Sequence, residues 1–111
     1  MTAKKKENYN KEDIRLARFA KALAHPARIT IIRQLASKKS CFFNEISEEL
    51  PLADSTVSQH IAELKSAGLV IGRLELPKIK YQINYGKWKQ DRQLFKEFTK
   101  IKSSHGEQGQ E

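Results

Sequence analysis

The sequence predicts a small, mainly α-helical (α+β) domain that contains about five helices and one two-stranded β-hairpin. The chain has 111 residues, which is enough for one compact domain and too few for two ordinary ones. Apolar residues recur at helical spacing along most of the chain, whereas part of the segment 69–83 alternates with the period of a half-buried strand. Pro77 falls in the turn between the two predicted strands, where its missing N–H costs little.

The composition favours a polyanionic partner. Lys and Arg outnumber Asp and Glu by 21 to 13, which gives a formal net charge of +8. This charge attracts nucleic acid or an anionic membrane. A surface that is charged only to keep the protein soluble would have the same net charge. The single cysteine, Cys41, excludes an internal disulfide and fits a reducing compartment. We find no secretory signal and no apolar run that could span a bilayer, so we expect a cytoplasmic protein without a membrane partner.

The chain divides into one folded segment and two polar ends. Residues 1–10 are rich in lysine, and residues 103–111 are polar and contain Gly and Gln. Such segments bury too little apolar surface to fold. We therefore expect a flexible basic tail over 1–10, a folded domain over 11–102 and a disordered tail over 103–111.

The first two predicted helices meet at a proline. Asn10 is a suitable N-cap for the first helix. Pro26 suits the first turn of the second helix, and His25 is then held extended before it. Residues 27–37 are apolar on more than one side, which predicts the central buried helix.

A helix-turn-helix follows. A short helix over about residues 43–50 is ended by Pro51, and a longer helix begins after a tight turn. Asp54 is the better capping side chain for the longer helix, with Ser55 as the second option. In this motif the second helix contacts bases with its N-terminal residues.

The outward face of the longer helix is slim and uncharged. Its core stripe is Val57, Ile61 and Leu64, and the opposite side presents Ser55, Gln59, Ala62 and Ser66, flanked by Thr56 and Ser58. Long side chains would keep a helix out of the major groove, and acidic ones would be repelled. Gln can pair with adenine, hydroxyls with bases or phosphates, and Ala with a thymine methyl. The face therefore predicts a recognition helix.

The hairpin after this helix supplies cations for the DNA backbone. Phosphate contacts give affinity without sequence choice, so the hairpin and the recognition helix have separate tasks. The predicted DNA contacts are Ser55, Thr56, Ser58, Gln59, His60, Lys65, Arg73, Lys78 and Lys80. His60 lies on the flank of the helix, where it either packs beneath a phosphate contact or touches a base. Arg28 either braces helix termini or meets DNA.

Three motifs in order resemble the ArsR family of small winged-helix repressors. They are Leu-Ala-His-Pro-Ala-Arg at 23–28, Ser-Thr-Val-Ser-Gln-His at 55–60 and Ala-Gly-Leu-Val at 67–70. The resemblance covers residues 14–101. It implies a winged helix-turn-helix fold and a homodimer, joined through the first and last helices, that binds double-stranded DNA at an operator and blocks transcription. Two-fold symmetry then predicts an inverted-repeat operator.

The last helix carries an aromatic-rich stripe. A terminal helix of this kind is covered either by a second copy of the chain or by its own core, and we expect a homodimer. The predicted interface consists of Leu16, Phe19, Trp88, Leu94, Phe95, Phe98 and Ile101.

The chain lacks the residues with which many ArsR relatives bind metal. Their Cys-x-Cys pair corresponds to Phe42 and Asn44, and Cys41 stands one place away, alone. Soft-metal sites usually need three or four ligands. The last helix, where relatives use His and carboxylates, has only Asp91 and Glu97 as acidic residues and no histidine. We expect no metal, no cofactor and an unknown effector, with a redox- or metal-responsive repressor that uses Cys41 as the alternative.

The tip of the hairpin also departs from the family pattern. Relatives often carry Gly and Arg there, whereas this chain has Leu76, Pro77 and Lys78. A stiffer and less basic tip either contacts DNA less or has another use.

Two other classes of function fit the sequence less well. Asp54, Ser58 and His60 share one helix at spacings that cannot form a catalytic triad, and the sequence has no Gly-rich phosphate loop and no Cys-x-x-Cys. We predict that the protein is not an enzyme. A winged-helix module that binds RNA or protein is the second alternative, although the small polar face of residues 55–66 lacks the apolar anchors that protein docking favours.

Overall fold

The structure is a computed structural model that describes residues 8–103, and this range contains five helices and three strands. They are α1 (Lys11–Ala22), α2 (Pro26–Lys38), β1 (Cys41–Phe42), α3 (Phe43–Glu48), α4 (Asp54–Ser66), β2 (Val70–Glu75), β3 (Lys78–Ile83) and α5 (Tyr85–Phe98). The predicted winged helix-turn-helix is confirmed, with α3 and α4 as the helix pair and β2 and β3 as the wing. Most of the two predicted tails, residues 1–7 and 104–111, lies outside the described residues.

The sheet has one strand more than the predicted two-stranded hairpin. β1 pairs with β3, so the strand order is β1-β3-β2, with Cys41 opposite Tyr81 and Phe42 opposite Lys80. A strand of two residues is too short to show alternation in the sequence. Because β1 runs directly into α3, this pairing attaches the wing to the helix-turn-helix.

The predicted starts of α1 and α2 are confirmed by side-chain caps. The Oδ1 atom of Asn10 accepts a hydrogen bond from the N–H of Glu12 at 2.7 Å. His25 is extended, and its Nδ1 accepts a hydrogen bond from the N–H of Ala27 at 3.0 Å. Pro26 is the first residue of α2, where its missing N–H leaves no donor unsatisfied.

The start of α4 differs from the prediction that Asp54 or Ser55 caps it. Ala53 is the N-cap, and its side chain offers no hydrogen bond. Asp54 is instead the first helical residue, and its carboxylate accepts a hydrogen bond from the Ser47 hydroxyl of α3. The bond fixes the two helices of the motif to each other. At the other end, Gly68 has a φ of 80° and provides the left-handed turn that leads into β2.

α2 lies at the centre of the core, as predicted. Its Ile31 and Leu35 are fully buried, and the helix packs against α4, β1 and β3. The predicted α4 stripe is also buried, since Val57, Ile61 and Leu64 are 0%, 3% and 0% exposed. The opposite face of α4 is therefore directed to solvent.

α5 packs on α1 through an aromatic cluster. The Phe19 ring centroid lies 5.4 Å from that of Trp88 and 6.1 Å from that of Phe95, both in edge-to-face geometry. Phe19 is 4% exposed. Two rings of α5 cover most of Phe19 within one chain, so it offers little surface of its own, and its predicted place at a dimer interface stays a prediction.

A buried carboxylate also joins these two helices. Asp91 of α5 is 1% exposed and accepts a hydrogen bond from the Lys87 ammonium at 2.6 Å. The Arg15 guanidinium of α1 lies 3.7 Å from the other carboxylate oxygen and donates to Gln90 at 3.3 Å. The charge on Asp91 is thus balanced by cations from both helices, which fixes how α5 lies across α1.

Candidate nucleic-acid interface

The outward face of α4 is open and carries small polar side chains and Gln59 over its first two turns, and the exposed Glu63 lies at the edge of this face in the third turn. Ser55, Ser58, Gln59 and Ala62 are exposed, and Thr56 is half-buried. Within residues 8–103, no hydrogen bond uses the side chain of Ser58 or Gln59, so their donors and acceptors are available to a ligand. This arrangement fits a helix that contacts base edges in a groove.

His60, a predicted DNA contact, lies on the buried side of α4. It is 8% exposed, and its Nδ1 accepts a hydrogen bond from the Arg28 Nε at 3.0 Å. The His25 ring lies 4.3 Å away between centroids. Burial lowers the pKa of His60, and the neighbouring His25 and Arg28 lower it further. Of the two predicted roles, the structure favours packing beneath the interface over contact with a base.

Arg28 connects three helices at this point. One terminal nitrogen of its guanidinium donates to the Lys21 carbonyl at 3.3 Å and to the Ala22 carbonyl at 3.4 Å, both at the end of α1. Its Nε bonds His60 of α4, and the residue itself belongs to α2. Arg28 therefore braces helix termini, which was one of its two predicted roles, and holds the recognition helix in place.

The predicted cations of the wing share one face. Arg73 lies opposite Lys80, and Glu75 lies opposite Lys78. Because side chains alternate across a strand, all four project from the side of the hairpin that does not continue into the core. Arg73 also donates to the Gln82 side chain at 2.8 Å, which orients the guanidinium along the strand.

One aromatic ring holds two of the wing lysines near this face, and a second ring on the opposite face of the hairpin holds Lys65. The Lys80 and Lys78 ammonium groups lie 4.9 Å and 5.4 Å from the Phe42 ring centroid. The Lys65 ammonium of α4 lies 6.0 Å from the Tyr81 centroid. Contacts of this kind restrict the long side chains while the charges stay accessible. The contacts of Lys78 and Lys80 with Phe42 were not predicted from the sequence, because they depend on the additional strand β1.

An apolar face on α1, α2 and α5 is uncovered in the single chain. The predicted interface residues divide into buried Phe19, half-buried Leu16, Trp88 and Leu94, and exposed Phe95, Phe98 and Ile101. The last three are 46%, 55% and 73% exposed. Ile29 lines an apolar cavity with Phe95 and Trp88, so it extends the face, and it was absent from the prediction. Ile29 sits on a helix that is apolar on several sides, so its sequence spacing did not distinguish it from the core.

Cys41 is buried in β1 and is 1% exposed. Burial raises the pKa of its thiol, and the nearby Glu45 carboxylate raises it further. The thiolate is the reactive form of cysteine, so this environment disfavours oxidation and metal binding. Residues 8–103 contain no group of three His, Cys, Asp or Glu side chains placed to hold a metal ion.

Comparison with known proteins gives a consistent result. Residues 25–71 match the family described as "Bacterial regulatory protein, arsR family". The chain is 37% identical to the transcriptional repressor PagR of Bacillus anthracis over 68 residues, which are 61% of this chain and 68% of PagR. It is 39% identical to the uncharacterized HTH-type transcriptional regulator Rv0081 of Mycobacterium tuberculosis over 57 residues, 51% of this chain and 50% of that protein. The chain thus spans only about half the length of some curated relatives.

The fold comparison agrees with the sequence comparison. The crystal structure of PagR superimposes with a TM-score of 0.59 at 30% identity, over 76% of this chain and 92% of PagR. Among residues 8–103, no helix combines the length and apolar character needed to cross a membrane.

Proposed function

The chain belongs to the ArsR family of bacterial regulatory proteins, and on this basis we propose that it is a sequence-specific, DNA-binding transcriptional repressor that acts as a homodimer in the cytoplasm. The observation that carries the proposal is the open, hydrogen-bonding face of α4 around Ser55, Ser58 and Gln59 next to a basic wing. A protein-docking face would instead present apolar anchors. The named repressors among the relatives support the regulatory role.

The two parts of the surface have different tasks in this proposal. Gln59 pairs with a base edge, and the hydroxyls of Ser55 and Ser58 bond bases or phosphates. Lys80 and the other cations bind phosphates and position the recognition helix without selecting a sequence. His60 is not among the proposed contacts, since its ring supports the helix from below.

We assign the uncovered apolar face to a second copy of the chain. Phe95, Phe98 and Ile101 are adjacent to the aromatic cluster that joins α1 and α5, so a second copy would extend an existing core. Two recognition helices related by a two-fold axis would enter major grooves about 34–36 Å apart. The operator is then an inverted repeat.

The regulation in this proposal is independent of the family's metal sites. Phe42 and Asn44 occupy the positions of the Cys-x-Cys pair, and neither is a ligand for a soft metal. Cys41 is the remaining thiol, and its burial leaves the redox alternative without structural support.

Selection of binding sites from random duplexes, followed by two variants, tests the proposal. Gln59→Ala should weaken the selected site by about tenfold and relax the choice of one base pair, because one bidentate contact is lost. Lys80→Ala should weaken all duplexes alike and reduce the salt dependence, because one phosphate contact is lost.

Two exposed residues of α5 provide matched controls. Gln93→Ala and Lys96→Ala remove the same side-chain types far from the α4 face and should leave binding unchanged. A uniform effect of Gln59→Ala on every duplex would contradict base contact by α4. Failure to enrich any duplex would contradict the function itself.

A further inference from the structure

The tip of the wing is apolar and exposed, although the strands behind it are basic. Leu76 is 82% exposed, more than any other large apolar side chain among residues 8–103. Leu74 and Ile79 are 65% and 41% exposed and lie opposite each other on β2 and β3. We call Leu74, Leu76 and Ile79 the wing-tip patch. The leucine at the tip replaces the Gly and Arg that relatives often carry there.

The wing-tip patch projects beyond the body of the domain. Leu74 and Ile79 share a face of the hairpin with Val70 and Ile83, since residues on this face alternate along both strands. Val70 and Ile83 are 2% and 3% exposed, so the same face is core at its base and solvent at its tip. Leu76, at the end of this face, is therefore the side chain of the patch that contributes least to the folded core.

The length of the wing matches the spacing of DNA grooves. β2 has six residues, which at about 3.3 Å per residue places the tip about 20 Å from the core. Half a helical turn of B-DNA, the step from a major groove to the next minor groove, is about 17 Å. The hairpin is therefore long enough to span this step when α4 lies in a major groove.

The charges around the patch favour a polyanion over a protein or lipid tail. Arg73 and Lys80 come next to Leu74 and Ile79 along the strands, on the opposite face of the hairpin, and the opposed Glu75 and Lys78 offset each other. Proteins that bind the minor groove often insert an apolar side chain between base steps, with cations on the phosphates beside it. An exposed leucine at the end of a basic hairpin has this arrangement.

We propose that Leu76 inserts into the minor groove beside the recognition helix and partly unstacks a base step there. This inference rests on the proposed DNA-binding function and adds a second mode of sequence choice. Insertion bends the duplex, and flexible pyrimidine–purine steps are the easiest to unstack. The protein then selects such a step at the outer flank of each half-site without hydrogen bonds to its bases.

The test uses a duplex selected by the wild-type protein, with 2-aminopurine at successive flanking positions and a donor–acceptor dye pair at its ends. Wild-type protein should raise the 2-aminopurine fluorescence at one flanking step and shorten the distance between the dyes. Leu76→Ala should abolish both changes and weaken binding about tenfold, the value of burying one leucine. Its salt dependence should stay that of wild type, because no charge is removed.

Two further variants separate this effect from unfolding and from charge. Ile71→Ala removes an apolar side chain that is 42% exposed on the other face of the wing, and it should leave all readouts unchanged. Leu76→Arg restores a basic tip, so it should keep the affinity and lose the fluorescence change. Thermal unfolding of Leu76→Ala should match that of wild type because the side chain is exposed.

The outcomes distinguish this inference from the proposed function. Normal binding, bending and fluorescence with Leu76→Ala would overturn the insertion while leaving the repressor function intact. Wild-type protein that selects no duplex would overturn both. Self-association of wild-type protein beyond the dimer that Leu76→Ala abolishes would assign the wing-tip patch to a protein contact and would also overturn the insertion.

Discussion

Replacement of Arg28 by alanine should destabilise the protein strongly although the residue itself is only half-buried. The variant loses the hydrogen bond to His60, which as a bond from a charged donor contributes about 2 kcal/mol. It also loses the longer bonds to the Lys21 and Ala22 carbonyls, which together contribute about 1 kcal/mol. The free energy of unfolding should fall by about 3 kcal/mol, because the buried Nδ1 of His60 loses its donor; the Lys21 carbonyl keeps a hydrogen bond from the Ala24 N–H.

Thermal unfolding followed by circular dichroism measures this loss. For a domain of this size, a loss of about 3 kcal/mol lowers Tm by roughly 15 °C. Arg33→Ala, which removes an exposed arginine from the same helix, is the control and should change Tm little. Arg28→Lys keeps the charge without the planar fork and should fall between the two. All variants are compared at one protein concentration, because dimerisation shifts Tm. Equal Tm values for Arg28→Ala and Arg33→Ala would refute the bracing role.

Three other expectations follow from the structure. Burial lowers the pKa of His60, so the unfolded state binds a proton at this residue more readily than the folded state does. The contribution of neutral His60 to the free energy of unfolding should therefore be complete above about pH 6.5 and decrease as the pH falls below that value. Denaturant unfolding of wild type and of His60→Gln across this pH range measures the contribution of His60. The same pH dependence of stability in both proteins would contradict the prediction. Phe98→Asp should convert dimers into monomers in analytical ultracentrifugation, and a persistent dimer would rule out the α5 interface. Asp91→Asn should cost about 3 kcal/mol of stability because it leaves Lys87 without its buried partner, whereas the exposed-site variant Glu97→Gln should have little effect.

The features that local spacing determines were predictable. The stripe of Val57, Ile61 and Leu64 gave the orientation of α4, because helical periodicity alone fixes which side chains share a face. The position of Pro26 fixed the start of α2 for a similarly local reason. The open face around Gln59 follows directly from the position of the α4 stripe, so the main part of the candidate site could be derived from the sequence.

The features that the sequence missed depend on contacts between distant segments. His60 lies on the flank of α4, and its burial is decided by Arg28, which is 32 residues away. Asp54 bonds Ser47 instead of capping its own helix, and this competition between a local and a tertiary partner has no sequence signature. Phe19 has the spacing of a surface stripe, yet the rings of α5 cover it.

The guanidinium of Arg28 has a geometric consequence for an assembled pair of subunits. It bonds the last turn of α1, a helix that carries part of the proposed contact with a second copy, and it bonds α4, which carries the base-contacting side chains. In the proposed dimer, the path from the subunit contact to the groove is therefore short and runs through one hydrogen-bonded guanidinium. Any small rotation of one subunit against the other would turn both α4 helices by a similar angle. We therefore expect the dimer to bind only operators whose half-sites lie within a narrow range of separations.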